Sequence, residues 1–268
     1  MVAARGWSSA TKAARAAPLP AALALLSTLA IAQPTPARKP KPPGYAAMVR
    51  TWHTPSAEAP AATDEGHPTL VLRSINTTEH GAFVAARPGG GFAASDLDRA
   101  AVLLRDPATG ARHPVEPRLM DVALRIQSHF ASQEIRFLSG YRLPFRGNAS
   151  NHGKGRAMDL IVPGVSDADV ATFARTLGFV GVGIYPVSGF VHIDVRDRSY
   201  FWSDSSAPGR KNRERGILGD LARAADREGA ARGELVVTSC ALQLDVDAAL
   251  RACAAREATD DDYDDDGG

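Results

Sequence analysis

The sequence predicts an α+β domain, an antiparallel sheet with helices packed on it. Short apolar runs of strand length are mixed with two amphipathic helical stretches. The strand runs follow one another too closely for crossover helices, which favours antiparallel neighbours. Apolar residues make up 44% and charged residues 23% of 268, ordinary for a folded, soluble chain. That composition excludes a mostly disordered chain and a multi-pass membrane protein. A net charge of +1 gives no reason to expect nucleic acid as partner.

Along the chain, residues 1–32 read as an export signal. Arg5, Lys12 and Arg15 precede a short apolar run, Leu19–Ala32, that closes on Ala30-Ile31-Ala32. The run has 14 residues, against roughly 20 for a spanning helix. No membrane span is therefore expected once the signal is removed, the alternative being an uncleaved anchor, and the mature chain is expected in the periplasm or cell envelope. Residues 33–68 carry eight Pro and read as an extended linker.

Residues 69–202 read as the body. Leu70–Leu72 and Ala82–Ala85 predict two strands, followed by a turn at Gly89-Gly90-Gly91. Leu97–Arg105 reads as a short helix or a strand. Leu119, Val122, Ala123, Ile126 and Phe130 share one stripe and predict an amphipathic helix over Leu119–Ala131. Glu134–Leu138 and Arg156–Val162 predict strands. Asp167–Leu177 predicts a helix capped by Ser166 and stopped by Gly178. Phe179–Tyr185 and Gly189–Val195 predict two further strands around Pro186. Beyond Trp202, residues 203–259 read as polar loop and helical extension, with a strand and a helix expected over Leu235–Cys253. Residues 260–268 form an acidic tail containing six Asp. The two cysteines, Cys240 and Cys253, are expected to bridge in an oxidising compartment, the alternative being two buried thiols on one helix face.

The chemistry concentrates in Ser150–Asp159 and Phe190–Asp194. Alternate residues of a strand share a face, so Asp159 and His192 meet if their strands are neighbours. His152 sits on a glycine-rich loop (Gly153, Gly155) able to fold back over the strand. Two His and a carboxylate are a catalytic zinc set, leaving the fourth position for a water whose pKa falls to about 7. Spacing alone leaves the bland reading open: a hydrogen-bonded core His, and Asp159 paired with Arg142 or Arg156. The remaining His (His53, His67, His80, His113, His129) read as surface or structural. The glycosylation sequons at Asn76 and Asn148 are discounted.

Four motifs in order carry a resemblance over residues 69–202. They are Ser139-Gly140-Tyr141-Arg142, the S-x-H-x-x-G-x-A-x-D string from Ser150 to Asp159, Gly181–Pro186, and Phe190-Val191-His192-Ile193-Asp194. Together they resemble the murein endopeptidase K family of zinc D-Ala-D-Ala peptidases, relatives of the hedgehog-type fold. The resemblance implies that His152, Asp159 and His192 hold zinc, that Arg142 stabilises the oxyanion, and that Ser150 binds substrate. Each of the last two has a plainer alternative, a surface salt bridge for Arg142 and a loop-capping hydroxyl for Ser150. Several relatives place an acid three residues before the last His, where this chain has Gly189. Asp194 is then the candidate general base, or else it orients a ligand His through its second nitrogen. The implied function is hydrolysis of peptide bonds in peptidoglycan. Two alternatives stand beside it: a non-catalytic wall-binding domain, and a D-Ala-D-Ala carboxypeptidase.

Overall fold

The structure, a computed structural model, describes residues 44–55, 63–64, 66–144, 150–208, 210 and 218–234. The expected signal, the start of the linker, both cysteines, the strand and helix expected after Leu235, and the acidic tail lie outside these residues.

Among the described residues, eight strands form one sheet: β1 (Thr63–Asp64), β2 (His67–Ser74), β3 (His80–Val84), β4 (Ile135–Ser139), β5 (Ala157–Ile161), β6 (Val180–Tyr185), β7 (Phe190–Val195) and β8 (Tyr200–Ser203). The order across it is β1-β2-β4-β5-β7-β6-β8, with β3 also on β2. Five helices accompany it: α1 (Tyr45–His53), α2 (Ala94–Leu103), α3 (Pro117–His129), α4 (Asp167–Arg175) and α5 (Gly219–Ala231).

The fold class is α+β, but the sheet is mixed, which corrects the antiparallel expectation. β2 runs parallel to β4, with Leu72 opposite Ile135. β6 runs parallel to β8, with Gly183 opposite Trp202. The short connections mislead because parallel partners need not be consecutive. β6 and β7 form a hairpin, and β8 then returns along the outer side of β6 in the direction of β6. β2 and β4 are separated by β3, α2 and α3.

One face of the sheet is the core. Leu72, Leu160, Met158, Val191, Ile193, Val182 and Phe201 pack with Leu119, Val122, Ala123 and Ile126 of α3 and Val170, Ala171 and Ala174 of α4. A large apolar side chain withdrawn from water in this way contributes about 1.5–3 kcal/mol. α3 begins with Pro117, whose missing N–H costs nothing at that position. α4 is capped as its sequence predicts: Ser166 Oγ accepts the Asp169 N–H at 3.1 Å.

α1 stands where the sequence reads as extended linker, whereas α5 falls in the extension that the sequence reads as helical. α1 lies within the Pro-rich segment and is tied to the body: Tyr45 donates to the Ser188 carbonyl at 2.8 Å, and Arg136 donates to the Trp52 and Thr54 carbonyls at 2.8 and 2.7 Å. The segment is therefore not extended over Tyr45–His53. α5 is held through Asp226, which accepts from the Phe179 and Ser199 N–H groups at 2.7 and 2.8 Å.

Candidate metal centre

The second face of the sheet is polar. One row crosses five strands in register: Ser139 opposite Asp159, Asp159 opposite His192, His192 opposite Gly183, Gly183 opposite Trp202. Cross-strand partners share a face, so this register puts Asp159 beside His192. His152 arrives from a short 3-10 turn, Asn151–Lys154. Ser150 caps that turn, its Oγ accepting the His152 N–H at 3.2 Å. Gly155 ends the turn at φ +66°, where a side chain would also overlap the Pro114 carbonyl.

The three side chains converge. His152 Nε2 lies 3.2 Å from His192 Nδ1 and 3.4 Å from Asp159 Oδ1, and His192 Nδ1 lies 2.9 Å from Asp159 Oδ1. All three residues are buried. Each imidazole has its other nitrogen committed. His152 Nδ1 faces the Gly140 carbonyl at 2.6 Å, an oxygen that only accepts, so Nδ1 carries the proton. His192 Nε2 faces the Asp194 carboxylate at 2.9 Å and donates to it. In their neutral forms both imidazoles therefore present bare lone pairs to the Asp159 oxygen. A tetrahedral ion bound at about 2.0–2.1 Å separates its ligands by about 3.3 Å. The donor set fits such an ion in chemistry and in spacing.

Without an ion, a proton takes its place. Burial works against charge on His192, but the Asp159 and Asp194 carboxylates outweigh it and raise its pKa to about 9. Burial pushes His152 the other way, below its ordinary value, despite Asp159. Burial alone would raise the Asp159 carboxyl; His152, His192 and Arg142 instead hold it well below its usual range.

Asp194 is wholly buried on the far side of His192. Arg196 grips it twice, Nε to Oδ1 and Nη2 to Oδ2, each at 2.6 Å. Burial would raise this carboxyl too, and Arg196 and His192 hold it far below its ordinary value. Arg142 hydrogen-bonds the second oxygen of Asp159 and donates from Nε to Ser139 Oγ at 2.7 Å, while its side chain stays 54% exposed. Arg156 does not join the centre; its Nε lies 3.8 Å from Glu116.

Several contributors carry no signal in isolation. Gly181 and Gly183 sit mid-strand, where glycine is required because a Cβ on Gly181 would overlap the Asp194 carboxylate and one on Gly183 the Trp202 indole. Trp202 lies over His192 with ring centres 5.1 Å apart, and its indole N–H donates to the Tyr185 hydroxyl at 3.1 Å. Gly189 has φ +71°, and Val49 of α1 fills the space its side chain would take. An acid cannot be seated there.

The sequence model of a family described as peptidoglycan L,D-endopeptidase MepK matches residues 62–199. The chain belongs to the MepK family. It is 35% identical over 141 residues to a probable peptidoglycan L,D-endopeptidase MepK of Haemophilus influenzae, covering 47% of this chain and 74% of that one. It is 29% identical over 150 residues to the peptidoglycan L,D-endopeptidase MepK of Escherichia coli K12, covering 51% and 82%. No solved structure matches the chain. The matched span holds His152, Asp159, His192, Asp194 and Arg142, and stops before Tyr200, Trp202 and α5.

Proposed function

We propose that this protein is a zinc-dependent peptidase that hydrolyses peptide bonds in peptidoglycan, exported to the periplasm or cell envelope by residues 1–32. One observation carries the metal: two imidazoles, each with its outer nitrogen pinned by an acceptor, aim lone pairs at one carboxylate oxygen. His152 Nε2, Asp159 Oδ1 and His192 Nδ1 would hold the ion. When bound, zinc supplies Lewis acidity and a water acidic enough to serve as nucleophile near neutral pH.

The chain's own residues supply the rest. Asp194 fixes the ring and tautomer of His192, so that Nδ1 faces inward. Its burial and its two bonds to Arg196 favour that orienting role over the role of a base that meets water. Arg142 holds the second oxygen of Asp159 and so leaves the first for the ion. Its outer edge is exposed and carries further N–H donors. Aimed at the negative charge that grows on an attacked carbonyl oxygen, a fixed guanidinium can contribute about 3 kcal/mol. Ser150, occupied in capping the His152 turn, positions that ligand. Residues 33–43 remain a tether in this reading, with the body running from α1.

Gly189 favours one second reading, a wall-binding domain without turnover, because the acid of several relatives is missing and α1 leaves no room for it. The deciding experiment is chromatography of sacculi digested by the purified protein, with and without a chelator. Release of new peptide ends, about one zinc per chain, and loss of both in His152→Ala are expected. Product release that persists in the chelator overturns the metal reading; zinc bound with no product favours the wall-binding one.

A further inference from the structure

Tyr185 is the polar residue at the centre that the metal set leaves unused. It follows Gly183 by two positions on β6 and so shares the face of His192. Three contacts fix it there. Its ring stacks on Phe190, centres 4.5 Å apart and planes 18° apart. Its oxygen accepts the Trp202 indole N–H at 3.1 Å. Trp202 in turn leans on His192.

A phenol has one proton to donate. The indole also has only a donor, so it occupies a lone pair of Tyr185 and turns the O–H away from itself. Among the described residues nothing accepts that proton. The hydroxyl is thus oriented but unspent, beside a proposed catalytic centre. Arg142 stands on the opposite flank, beyond Asp159 on the β4 side of the row, whereas Tyr185 stands on β6, beyond His192. The two flanks differ in charge. Burial, with the Asp159 and Asp204 carboxylates adding to it, raises the Tyr185 phenol to about 12, so it remains a neutral donor throughout the working range. A neutral donor matches a neutral peptide carbonyl; the cationic flank matches developing or full negative charge.

We propose that the Tyr185 hydroxyl is a substrate-binding group that donates a hydrogen bond to a backbone carbonyl of the bound stem peptide, on the flank of the metal ligands opposite Arg142. This rests on the peptidase reading and adds to it a specific contact. The contact exists in the bound ground state, so it acts on substrate affinity before it acts on turnover.

The test is binding of a purified cross-linked muropeptide to the metal-free protein, measured by isothermal titration calorimetry, beside kcat and KM for the zinc-loaded protein. In Tyr185→Phe, which keeps the ring and its stacking, binding is expected to weaken about tenfold, with a matching rise in KM, a near-constant kcat and unchanged zinc content. Trp202→Phe, which keeps an aromatic ring over His192 but frees the hydroxyl to rotate, is expected to weaken binding about threefold. If Tyr185→Phe fails to fold, the result for Trp202→Phe decides. Wild-type binding in the variants, with the wild-type protein itself binding, overturns this inference alone. Wild-type protein that does not bind the muropeptide overturns the peptidase reading and this inference with it.

Discussion

Two buried carboxylates, one within the sheet and one at its border, make opposite uses of their surroundings. Glu134, just before β4, is 1% exposed. One oxygen accepts from Arg73 at 2.6 Å and the other from Arg136 at 2.8 Å. Arg136 continues to the carbonyls that end α1. Both partners of the Glu134 carboxylate are guanidiniums, which always carry their own protons. Asp159 is 4% exposed and also has an arginine on one oxygen. Its other oxygen faces two nitrogens whose protons are spent elsewhere. The difference teaches how to separate a clasp from a ligand site. A clasp is a carboxylate with as many donors as it needs, and a ligand site is an excess of acceptors around one point.

Exchanging a carboxyl for an amide at each position tests that distinction, and the two outcomes differ in kind. Asp159→Asn is expected to lose zinc at stoichiometric loading and to lower kcat/KM by about 10³-fold or more, beyond the 10–100-fold typical of groups that merely support a ligand. Glu134→Gln is expected to keep full zinc and near-normal turnover while destabilising the fold by about 3 kcal/mol, because two guanidiniums lose their counter-charge in a buried setting. Metal analysis and chemical denaturation read both. Zinc lost from the Glu134 variant, or retained by the Asp159 variant, breaks the comparison.

The next effect is smaller and concerns the outer nitrogen of His192. Asp194→Asn keeps the size of the side chain but removes the charge that Arg196 and His192 share. Zinc affinity is expected to fall about 10–100-fold, with kcat/KM recovering when zinc is raised. A kcat/KM that stays low at saturating zinc, with the acidic limb of the pH profile gone, would return Asp194 to the role of a proton carrier.

Which of these features the sequence makes legible follows from the range over which each is written. The pairing of Asp159 with His192 is local: two strands of alternating pattern with a charged residue at matching phase. The return of His152 is written in Gly153 and Gly155. β8 is not legible, because four residues, Tyr200–Ser203, follow a hairpin and end in polar loop. Its parallel pairing with β6 depends on the whole order of strands. α1 is hidden by its prolines, which flank the helix without entering it. The strand through Gly181 and Gly183 is legible but the reason for its glycines is not, since they earn their places only once Asp194 and Trp202 stand across from them. Tyr185 lay inside a recognised motif, but its hydroxyl gains a role only when Trp202 arrives from outside the matched span.

The smallest effect is on stability against pH, and it contrasts the centre with the Glu134 clasp once more. In the metal-free protein His192 holds its proton to about pH 9. A folded-state pKa above the unfolded value, ordinarily about 6.5, contributes stability that is fully present below pH 6.5 and lost as pH rises through 9. His152 is shifted the opposite way, and its own contribution changes at and below about pH 6.5, so the interval from pH 7 to 9 reads His192. Over that interval the chelated protein is expected to lose a few degrees of Tm. Zinc held at the proposed centre would displace the His192 proton, so the zinc-loaded protein is expected to hold its Tm and the gap between the two forms to widen with pH. Glu134 is not among the groups that act on the His192 imidazole, so Glu134→Gln should lower both curves without changing their divergence. A chelated protein whose Tm is flat from pH 7 to 9 would mean that the imidazole between Asp159 and Asp194 is already neutral, and that the proton does not hold the place assigned to the ion.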